Sequence, residues 1–144
     1  MTIQDVLSDK GRKVWTISPE AKVIDALKLM SSKDVGALIV TSKNELVGIL
    51  SERDYARKVI LRGKSSLDTP VKAIMTSNVY YVDPETTTQE CLALMTKNRI
   101  RHLPVMRDGK ILGIVSIGDV VKSIISQQKI ALDHLQNYIA GKYL

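Results

Sequence analysis

A serine and an aspartate stand three residues apart at two places in the chain, each time after a glycine and two apolar residues. The pairs are Ser51 with Asp54 and Ser116 with Asp119. A carboxylate can accept hydrogen bonds from both hydroxyls of a ribose, and the N–H groups at the start of a helix favour phosphate. The two pairs therefore predict binding of a ribose and a phosphate.

The same Ser-x-x-Asp spacing has a plainer interpretation. It resembles a capping box, in which the serine and the acid satisfy backbone N–H groups at the start of a helix. The preceding glycines, Gly48 and Gly113, permit a close backbone approach or relieve crowding within a hairpin. Capping and ligand binding are compatible roles for one motif.

The two motifs belong to a longer internal repeat. Asp119 follows Asp54 by 65 residues (119 − 54), and no gap is needed to align the flanking sequences. Further matches at this offset are Val14 with Val79, Pro19 with Pro84, Leu27 with Leu92, Met30 with Met95, Leu38 with Leu103 and Ile49 with Ile114.

Apolar spacing within each copy predicts the order β-α-β-β-α. In the first copy we expect strands over residues 14–17, 35–40 and 46–50, with helices over 22–32 and from Ser51 to about residue 62. In the second copy we expect strands over 79–82, 102–106 and 111–115, with helices over 88–98 and after Ser116. The predicted fold is therefore mixed α/β (α+β), with two such units in a pseudo-two-fold arrangement.

The segments between and beside the repeats complete the organisation. We assign unit 1 to residues 12–63, a polar linker to 64–72, unit 2 to 73–126 and a C-terminal helix to 127–144, ended by Gly141. The C-terminal helix either caps the second unit or packs across a dimer interface. A short N-terminal helix, with Ile3, Val6 and Leu7 on one face, is expected to pack on the main body.

Composition narrows the class of protein. The chain has 144 residues, 44% of them hydrophobic, and no apolar run reaches the ~20 residues that span a bilayer. The N-terminus does not resemble a secretory signal, and the single cysteine fits a reducing compartment. These features predict a cytoplasmic protein without a membrane segment. The net charge of +6 favours anionic partners, which include small phosphates and nucleic acid.

With the repeat and the Gly-x-x-Ser-x-x-Asp motifs established, the chain resembles tandem CBS-domain proteins, in which two CBS units form a Bateman module. The run Ile100–Val105 and the run Ala73–Thr76, which is familiar before a second unit, carry the same resemblance. It covers about residues 12–126 and points to the stand-alone bacterial type.

The resemblance implies adenosine ligands, such as AMP, ADP, ATP, NAD or S-adenosylmethionine, in two clefts between the units. It implies ribose contacts from Asp54 and Asp119. The implied phosphate contacts are Ser51, Arg53, Arg101, His102, Ser116 and Gly118. The implied cleft lining is Thr16, Val35, Gly36, Ala37, Thr76, Tyr81 and Ile100.

The resemblance also divides these residues between the clefts. It places Arg101, His102, Thr16 and Val35 with Asp119. At the positions that match Arg101 and His102 the first unit has Gly36 and Ala37 instead, so the clefts are not equivalent. It places Thr76, Tyr81 and Ile100 with Asp54, where Arg53 supplies charge that its counterpart Gly118 does not. On this basis we expect the Asp119 cleft to suit an AMP-like phosphate better.

Structural alternatives accompany these roles. The arginines could be solvated surface groups, His102 could be a structural histidine, and Tyr81 could either stack on adenine or fill the inner face of its strand. No Cys/His spacing indicates a metal site, and no nucleophile stands beside a base.

The predicted function is a non-enzymatic regulatory sensor of adenine nucleotides. We expect no required cofactor, a homodimer, and an unidentified protein target. One rival is a nucleic-acid-binding protein, which the dispersed basic residues disfavour. Another is an interaction module with degenerate clefts.

Overall fold

The computed structural model describes residues 1–139 and confirms the mixed fold of two related units. Its helices and strands follow in the order α1 Ile3–Lys10, β1 Thr16–Ile17, α2 Val23–Lys33, β2 Ala37–Ser42, β3 Glu45–Ser51, α3 Glu52–Tyr55, α4 Thr88–Asn98, β4 His102–Arg107, β5 Lys110–Ser116 and α5 Ile117–Ile139. A π-helical segment, Ala56–Ile60, continues α3, and a 3-10 turn spans Val71–Ala73. The predicted end of the last helix at Gly141 lies outside the described residues.

The two hairpins are built alike. Strand β2 pairs antiparallel with β3 and β4 with β5, and the register shifts after Val40 in one hairpin and after Val105 in the other. Both turns have two central residues with positive φ, as hairpins with a right-handed twist require. The helices that precede the hairpins, α2 and α4, each span 11 residues and end on a left-handed residue, Asp34 or Arg99. The repeat therefore extends to the backbone conformation of its turns and caps.

The predicted strand over residues 79–82 is wrong. Only Val82 pairs with the sheet: its N–H donates to Pro104 O at 3.0 Å and its carbonyl accepts from Met106 N at 2.8 Å. Tyr80 and Tyr81 are exposed, so their rings bury little apolar surface that would hold a longer strand in place. The matching strand of unit 1 is also short, because β1 has two residues.

Each unit is completed by a segment that precedes the other unit in sequence, which we call a lead segment. Residues 2–10 form the first lead segment and residues 70–76 the second. Ile3 N donates to Thr86 O at 2.8 Å, and Val71 N donates to Ala21 O at the same distance. The first lead segment therefore lies on unit 2, and the second lies on unit 1.

Burial shows the same exchange. One core cluster contains Ile3, Val6 and Leu7 together with residues of unit 2, and the other contains Val71 and Ile74 together with residues of unit 1. The N-terminal helix thus packs on the main body as predicted, and the end of the predicted linker belongs to the first core. Neither unit has a complete core without the segment that precedes its partner.

Glycines allow these segments to cross the hairpins. A Cβ atom on Gly48 would lie 2.7 Å from Met75 Sδ and 3.0 Å from Thr76 O. A Cβ atom on Gly113 would lie 2.8 Å from Leu7 Cδ2. Both glycines therefore relieve crowding, and the crowding atoms belong to the lead segments rather than to the hairpin itself.

Helix α5 is continuous where the sequence predicted a second unit that ends near residue 126 and a separate terminal helix. No glycine or proline occurs between Gly118 and Gly141, so nothing interrupts the helical hydrogen bonds. Residues 127–137 are exposed, with Ile130, Leu132 and Leu135 more than half exposed. This part of α5 does not cap unit 2. Among residues 1–139, no helix has the length and apolarity needed to cross a membrane.

Candidate functional site

The two Ser-x-x-Asp motifs form capping boxes at the starts of α3 and α5. Asp54 Oδ2 accepts from Ser51 N at 3.0 Å, and Asp54 N donates to Ser51 Oγ at 3.2 Å. Asp119 Oδ2 accepts from Ser116 N at 2.8 Å, and Asp119 N donates to Ser116 Oγ at 3.0 Å. The plainer interpretation of both motifs is therefore confirmed, and any ligand contact would be an additional role.

Each aspartate also pairs with a lysine, but the two lysines come from different places. Lys58 Nζ lies 3.1 Å from Asp54 Oδ1, one helical turn further along the same segment. Lys10 Nζ lies 2.7 Å from Asp119 Oδ2 and belongs to the first lead segment. At Asp119 the cation and the capping N–H therefore share one oxygen, whereas at Asp54 they use different oxygens.

Lys10 changes the acidity of Asp119. Burial alone would raise the pKa of this carboxyl, but the hydrogen bonds from Lys10 and from Ser116 outweigh burial and hold the pKa below its ordinary value. Lys10 Nζ also donates to Ile114 O at 2.8 Å, which fixes the lysine against the hairpin. Asp119 is thus an ionised partner that ties the first lead segment to unit 2.

The N–H groups of the first and third residues at both helix starts already have partners. Glu52 N donates to Gly36 O at 3.1 Å and Ile117 N to Arg101 O at 2.9 Å, while the aspartate N–H groups bond the capping serines. Since α3 has four residues and then changes to a π-helical segment, its dipole is short. A phosphate beside α3 would therefore depend more on side chains than on the helix terminus.

A cleft of about 1040 Å³ lies between the two units, and we call it the Asp54 cleft. Unit 1 contributes Gly36, Ile49, Ser51, Glu52, Arg53, Asp54, Arg57 and Lys58, and the second lead segment contributes Thr76. Unit 2 contributes Asn78, Val79, Tyr80, Met95, Thr96, Asn98, Arg99, Ile100, Arg101, His102 and Ile117.

About half of the predicted site residues meet in this cleft. Ser51, Arg53 and Asp54 line it from unit 1, as expected, and Thr76 and Ile100 line it from the second lead segment and unit 2. Tyr81, predicted for the same cleft, does not line it. Its neighbour Tyr80 does, and the ring is half exposed at the surface.

Arg101 and His102 are placed differently from the assignment that the resemblance gave. Both line the Asp54 cleft, together with Gly36 from the other unit. The ring of His102 lies 3.5 Å from the Cβ position of Gly36, and Asp119 is close enough to influence the pKa of His102. Burial lowers the pKa of His102; Asp119 opposes this effect, and Lys10 and Arg101 add to it.

The remaining predicted residues do not line the Asp54 cleft. Ser116 and Asp119 form the second capping box, and Gly118 lies between them in sequence. Ala37 is buried in β2. Thr16 is exposed at the start of β1. Val35 lines a smaller cavity of about 550 Å³, whose charged lining residues are Asp34 and Glu52.

Several residues of the site were not predicted from the sequence. Arg57 and Lys58 were visible as part of a basic run, and the four-residue step from Asp54 to Lys58 signals an ion pair on a helix. Arg99 and Lys10 had no such signal at the 65-residue offset. Lys10 becomes visible only when the lead segments are aligned at 68 residues, where Ile3, Val6 and Leu7 match Val71, Ile74 and Met75.

Within residues 1–139, no three His, Cys, Asp or Glu side chains form a group that could hold a metal ion. The Asp54 cleft brings two carboxylates together with four arginines and one lysine, and Ile49, Val79 and Ile100 supply apolar walls. Such a surface suits a ligand that combines an apolar ring, a diol and an anionic group.

Comparison with known proteins identifies relatives along nearly the whole chain. The family model for the CBS domain matches residues 3–61 and 71–126. CBS domain-containing protein CBSX3, mitochondrial, of Arabidopsis thaliana is 43% identical over 152 residues, which cover 99% of this chain and 73% of that protein.

Solved structures agree with this relationship. A protein with CBS domains from Burkholderia ambifaria MC40-6 superposes with a TM-score of 0.86 at 49% identity, covering 89% of this chain and 96% of that one. The CBS domain pair of protein MJ0100, in complex with 5′-methylthioadenosine and S-adenosyl-L-methionine, has a TM-score of 0.78. At 22% identity, over 88% of this chain and 98% of that one, the second likeness shows the shared fold.

Proposed function

The chain belongs to the CBS-domain family, and from that premise we propose that it is a non-enzymatic regulatory protein that binds an adenosine-containing nucleotide in the Asp54 cleft. The observation that carries the proposal is the cleft itself, which is lined by both units and includes Asp54, Thr76 and a set of arginines. Its volume of about 1040 Å³ is ample for a nucleotide.

Asp54 is suited to the ribose. Its side chain is 15% exposed, and its Oδ1 has one partner, Lys58, although a carboxylate oxygen can accept two hydrogen bonds. A ribose hydroxyl could therefore join Lys58 at Oδ1 without disturbing the capping box at Oδ2. This is how capping and ligand binding can coexist at one residue.

The walls of the cleft are suited to adenine. Ile49 and Ile100 approach from different units, and Tyr80 contributes an aromatic ring near the opening. An adenine between them would bury apolar surface from both units at once. The MJ0100 protein binds two adenosine compounds, which supports the same class of ligand for this chain.

A ligand that contacts both units would stabilise one arrangement of them. Arg53 already links the units, because its Nη1 donates to Arg99 O at 2.7 Å. A ligand shifts such an equilibrium only by its different affinity for the two arrangements. We propose that this shift is the regulatory output, read by an unidentified protein target through a homodimer. The cytoplasmic location stays a prediction, and the Arabidopsis relative is a mitochondrial protein.

Thermal unfolding with AMP, ADP, ATP, NAD and S-adenosylmethionine tests the proposal. A ligand at ~100 times its Kd should stabilise the wild-type chain by about 2.7 kcal/mol. Asp54→Asn should abolish most of that shift. Asp108→Asn is a matched control, because Asp108 is exposed in a turn with φ of 51°, which asparagine tolerates.

If no adenosine compound raises the unfolding temperature at millimolar concentration, the proposed function is wrong. The interaction module with degenerate clefts then becomes the better account. If a compound stabilises the wild type and Asp54→Asn equally, binding is real but the assigned site is wrong.

A further inference from the structure

The positive charge of the Asp54 cleft is concentrated in one place and exceeds what one phosphate needs. Five basic residues line the cleft, namely Arg53, Arg57, Lys58, Arg99 and Arg101. Two acids, Glu52 and Asp54, line it as well, so the formal excess is three positive charges. Because burial lowers the pKa of His102, the histidine adds little to this excess near neutral pH.

The four arginines are at the exposed part of the lining, whereas Asp54 is mostly buried. Lys58 is neutralised by Asp54 and donates to Ile74 O at 2.9 Å, so the excess charge belongs to the arginines. Arg53 uses one N–H group on Arg99 O and keeps others. For Arg57, Arg99 and Arg101, residues 1–139 supply no hydrogen bond or ion pair to the guanidinium group.

The arginines also come from both sides of the cleft. Arg53 and Arg57 belong to unit 1, and Arg99 and Arg101 belong to unit 2. A ligand held at Asp54 by its ribose would extend its anionic end toward these four arginines. One phosphate can engage one or two guanidinium groups in bidentate fashion, so four of them match a longer anionic tail.

Three of the four arginines have no basic counterpart in the other copy. At the 65-residue offset, Arg53, Arg99 and Arg101 correspond to Gly118, Asp34 and Gly36. The fourth arginine, Arg57, corresponds to Lys122 and so keeps a basic counterpart. An ungapped duplication thus carries a cationic set on one side and none of these three arginines on the other.

We infer that the Asp54 cleft selects an adenosine ligand with two or more consecutive phosphates and discriminates against S-adenosylmethionine. The inference rests on the proposed function, because it assumes that the adenosine end of the ligand is held at Asp54. S-Adenosylmethionine brings a sulfonium cation where the arginines are, so like charges meet. AMP brings one phosphate and leaves at least two arginines without an anionic partner.

Isothermal titration of the full chain with AMP, ADP, ATP and S-adenosylmethionine tests the inference. The expected order of affinity is ATP, then ADP, then AMP, with S-adenosylmethionine at least about tenfold weaker than ATP. Raising the salt concentration should weaken ATP binding more than AMP binding, because screening acts on each charge of the tail.

A pair of charge variants locates the effect. Arg57→Gln combined with Arg99→Gln should weaken ATP binding by about tenfold or more and AMP binding by only about two- to threefold. Lys110→Gln combined with Lys129→Gln removes the same charge from exposed positions outside the cleft and should change neither. Since all four side chains are exposed, the unfolding temperatures without ligand should stay close to that of the wild type.

The outcomes separate the inference from the proposed function. If AMP or S-adenosylmethionine binds as tightly as ATP, the polyphosphate inference is wrong and nucleotide binding stands. If none of the four binds, both are wrong. Inorganic tripolyphosphate or an oligoadenylate that binds as tightly as ATP would also overturn the inference, because the first result removes the adenosine and the second indicates a nucleic-acid surface.

Discussion

The surroundings of Asp54 and Asp119 show which contacts the two copies of the repeat share and which contacts differ between them. Both aspartates accept a hydrogen bond from the N–H of the capping serine, at 3.0 and 2.8 Å, and both pair with a lysine. The lysine at Asp54 lies on the following helical turn, whereas the lysine at Asp119 arrives from the N-terminal helix. The shared features stabilise a helix start, and the differing features decide what else each site can hold.

The comparison extends to the lead segments. The first lead segment ends in Lys10, which binds Asp119, while the residue 68 positions later is Asn78, two residues beyond the end of the second lead segment. Asn78 lines the Asp54 cleft and carries no charge. At Asp119 the positive charge comes from Lys10 and holds the first lead segment in place. At Asp54 it comes from Lys58, on the next helical turn, and from arginines of both units.

The largest expected effect comes from the exchanged cores. Leu7 and Ile74 are 1% exposed in the cores of units 2 and 1, respectively. Leu7→Ala and Ile74→Ala should each lower the free energy of unfolding by about 2–5 kcal/mol, because each leaves a cavity. Urea unfolding measures the loss. Hydrogen exchange should show faster opening of β4 and β5 in Leu7→Ala and of β2 and β3 in Ile74→Ala; the reverse pattern would contradict the exchange.

A smaller effect should distinguish the two glycines. Gly48→Ala should cost about 1–3 kcal/mol, because the new methyl group meets the backbone oxygen of Thr76 as well as Met75. Gly113→Ala should cost less, because it meets only the end of the Leu7 side chain, which can rotate. Chemical denaturation of the two variants side by side measures the difference. An equal loss of stability would mean that both lead segments move equally easily to make room for the added methyl group.

The smallest predicted effect is a pH dependence that His102 carries. Because burial lowers the pKa of His102 from 6.5 in the folded state, the unfolded chain takes up the proton first as the pH falls. The contribution to stability is complete above pH 6.5 and is lost as the pH drops toward the folded pKa. The charged groups that act on His102 are Asp119, Lys10 and Arg101.

Urea midpoints at about pH 7.5 and about pH 5.5 measure this dependence. The wild type should lose stability at the lower pH, and His102→Asn should lose less. His134→Asn, exposed on α5, is the control and should behave as the wild type. A wild-type midpoint that is flat across this range would contradict the role given to His102.

Much of this fold could be predicted from the sequence, because the repeat and the apolar periodicity are local signals. Helix α4 has the predicted bounds, and both hairpins and the capping boxes were foreseen. The exchange of lead segments was not predicted. The lead segments align at an offset of 68 residues, so the ungapped alignment at an offset of 65 residues did not match them. The strand at residues 79–82 failed because apolar side chains there remain exposed, a result of tertiary packing.

The site was predicted less completely, for a related reason. Asp54, Ser51 and Arg53 belong to one motif and were found together. The cleft also depends on which residues of unit 2 face that motif, and this is set by the packing of two units rather than by spacing within one. Arg99, a left-handed cap of α4, had no local pattern that indicates a ligand, and Arg101 was assigned to the other aspartate.

We propose the Asp54 cleft as the nucleotide site, whereas Asp119 holds the first lead segment through Lys10. Isothermal titration of ATP into the wild type, Asp54→Asn and Asp119→Asn tests this directly. We expect one ATP per chain in the wild type, loss of about tenfold or more in affinity with Asp54→Asn, and near wild-type affinity with Asp119→Asn. Two ATP molecules per chain, or a larger loss with Asp119→Asn than with Asp54→Asn, would contradict it.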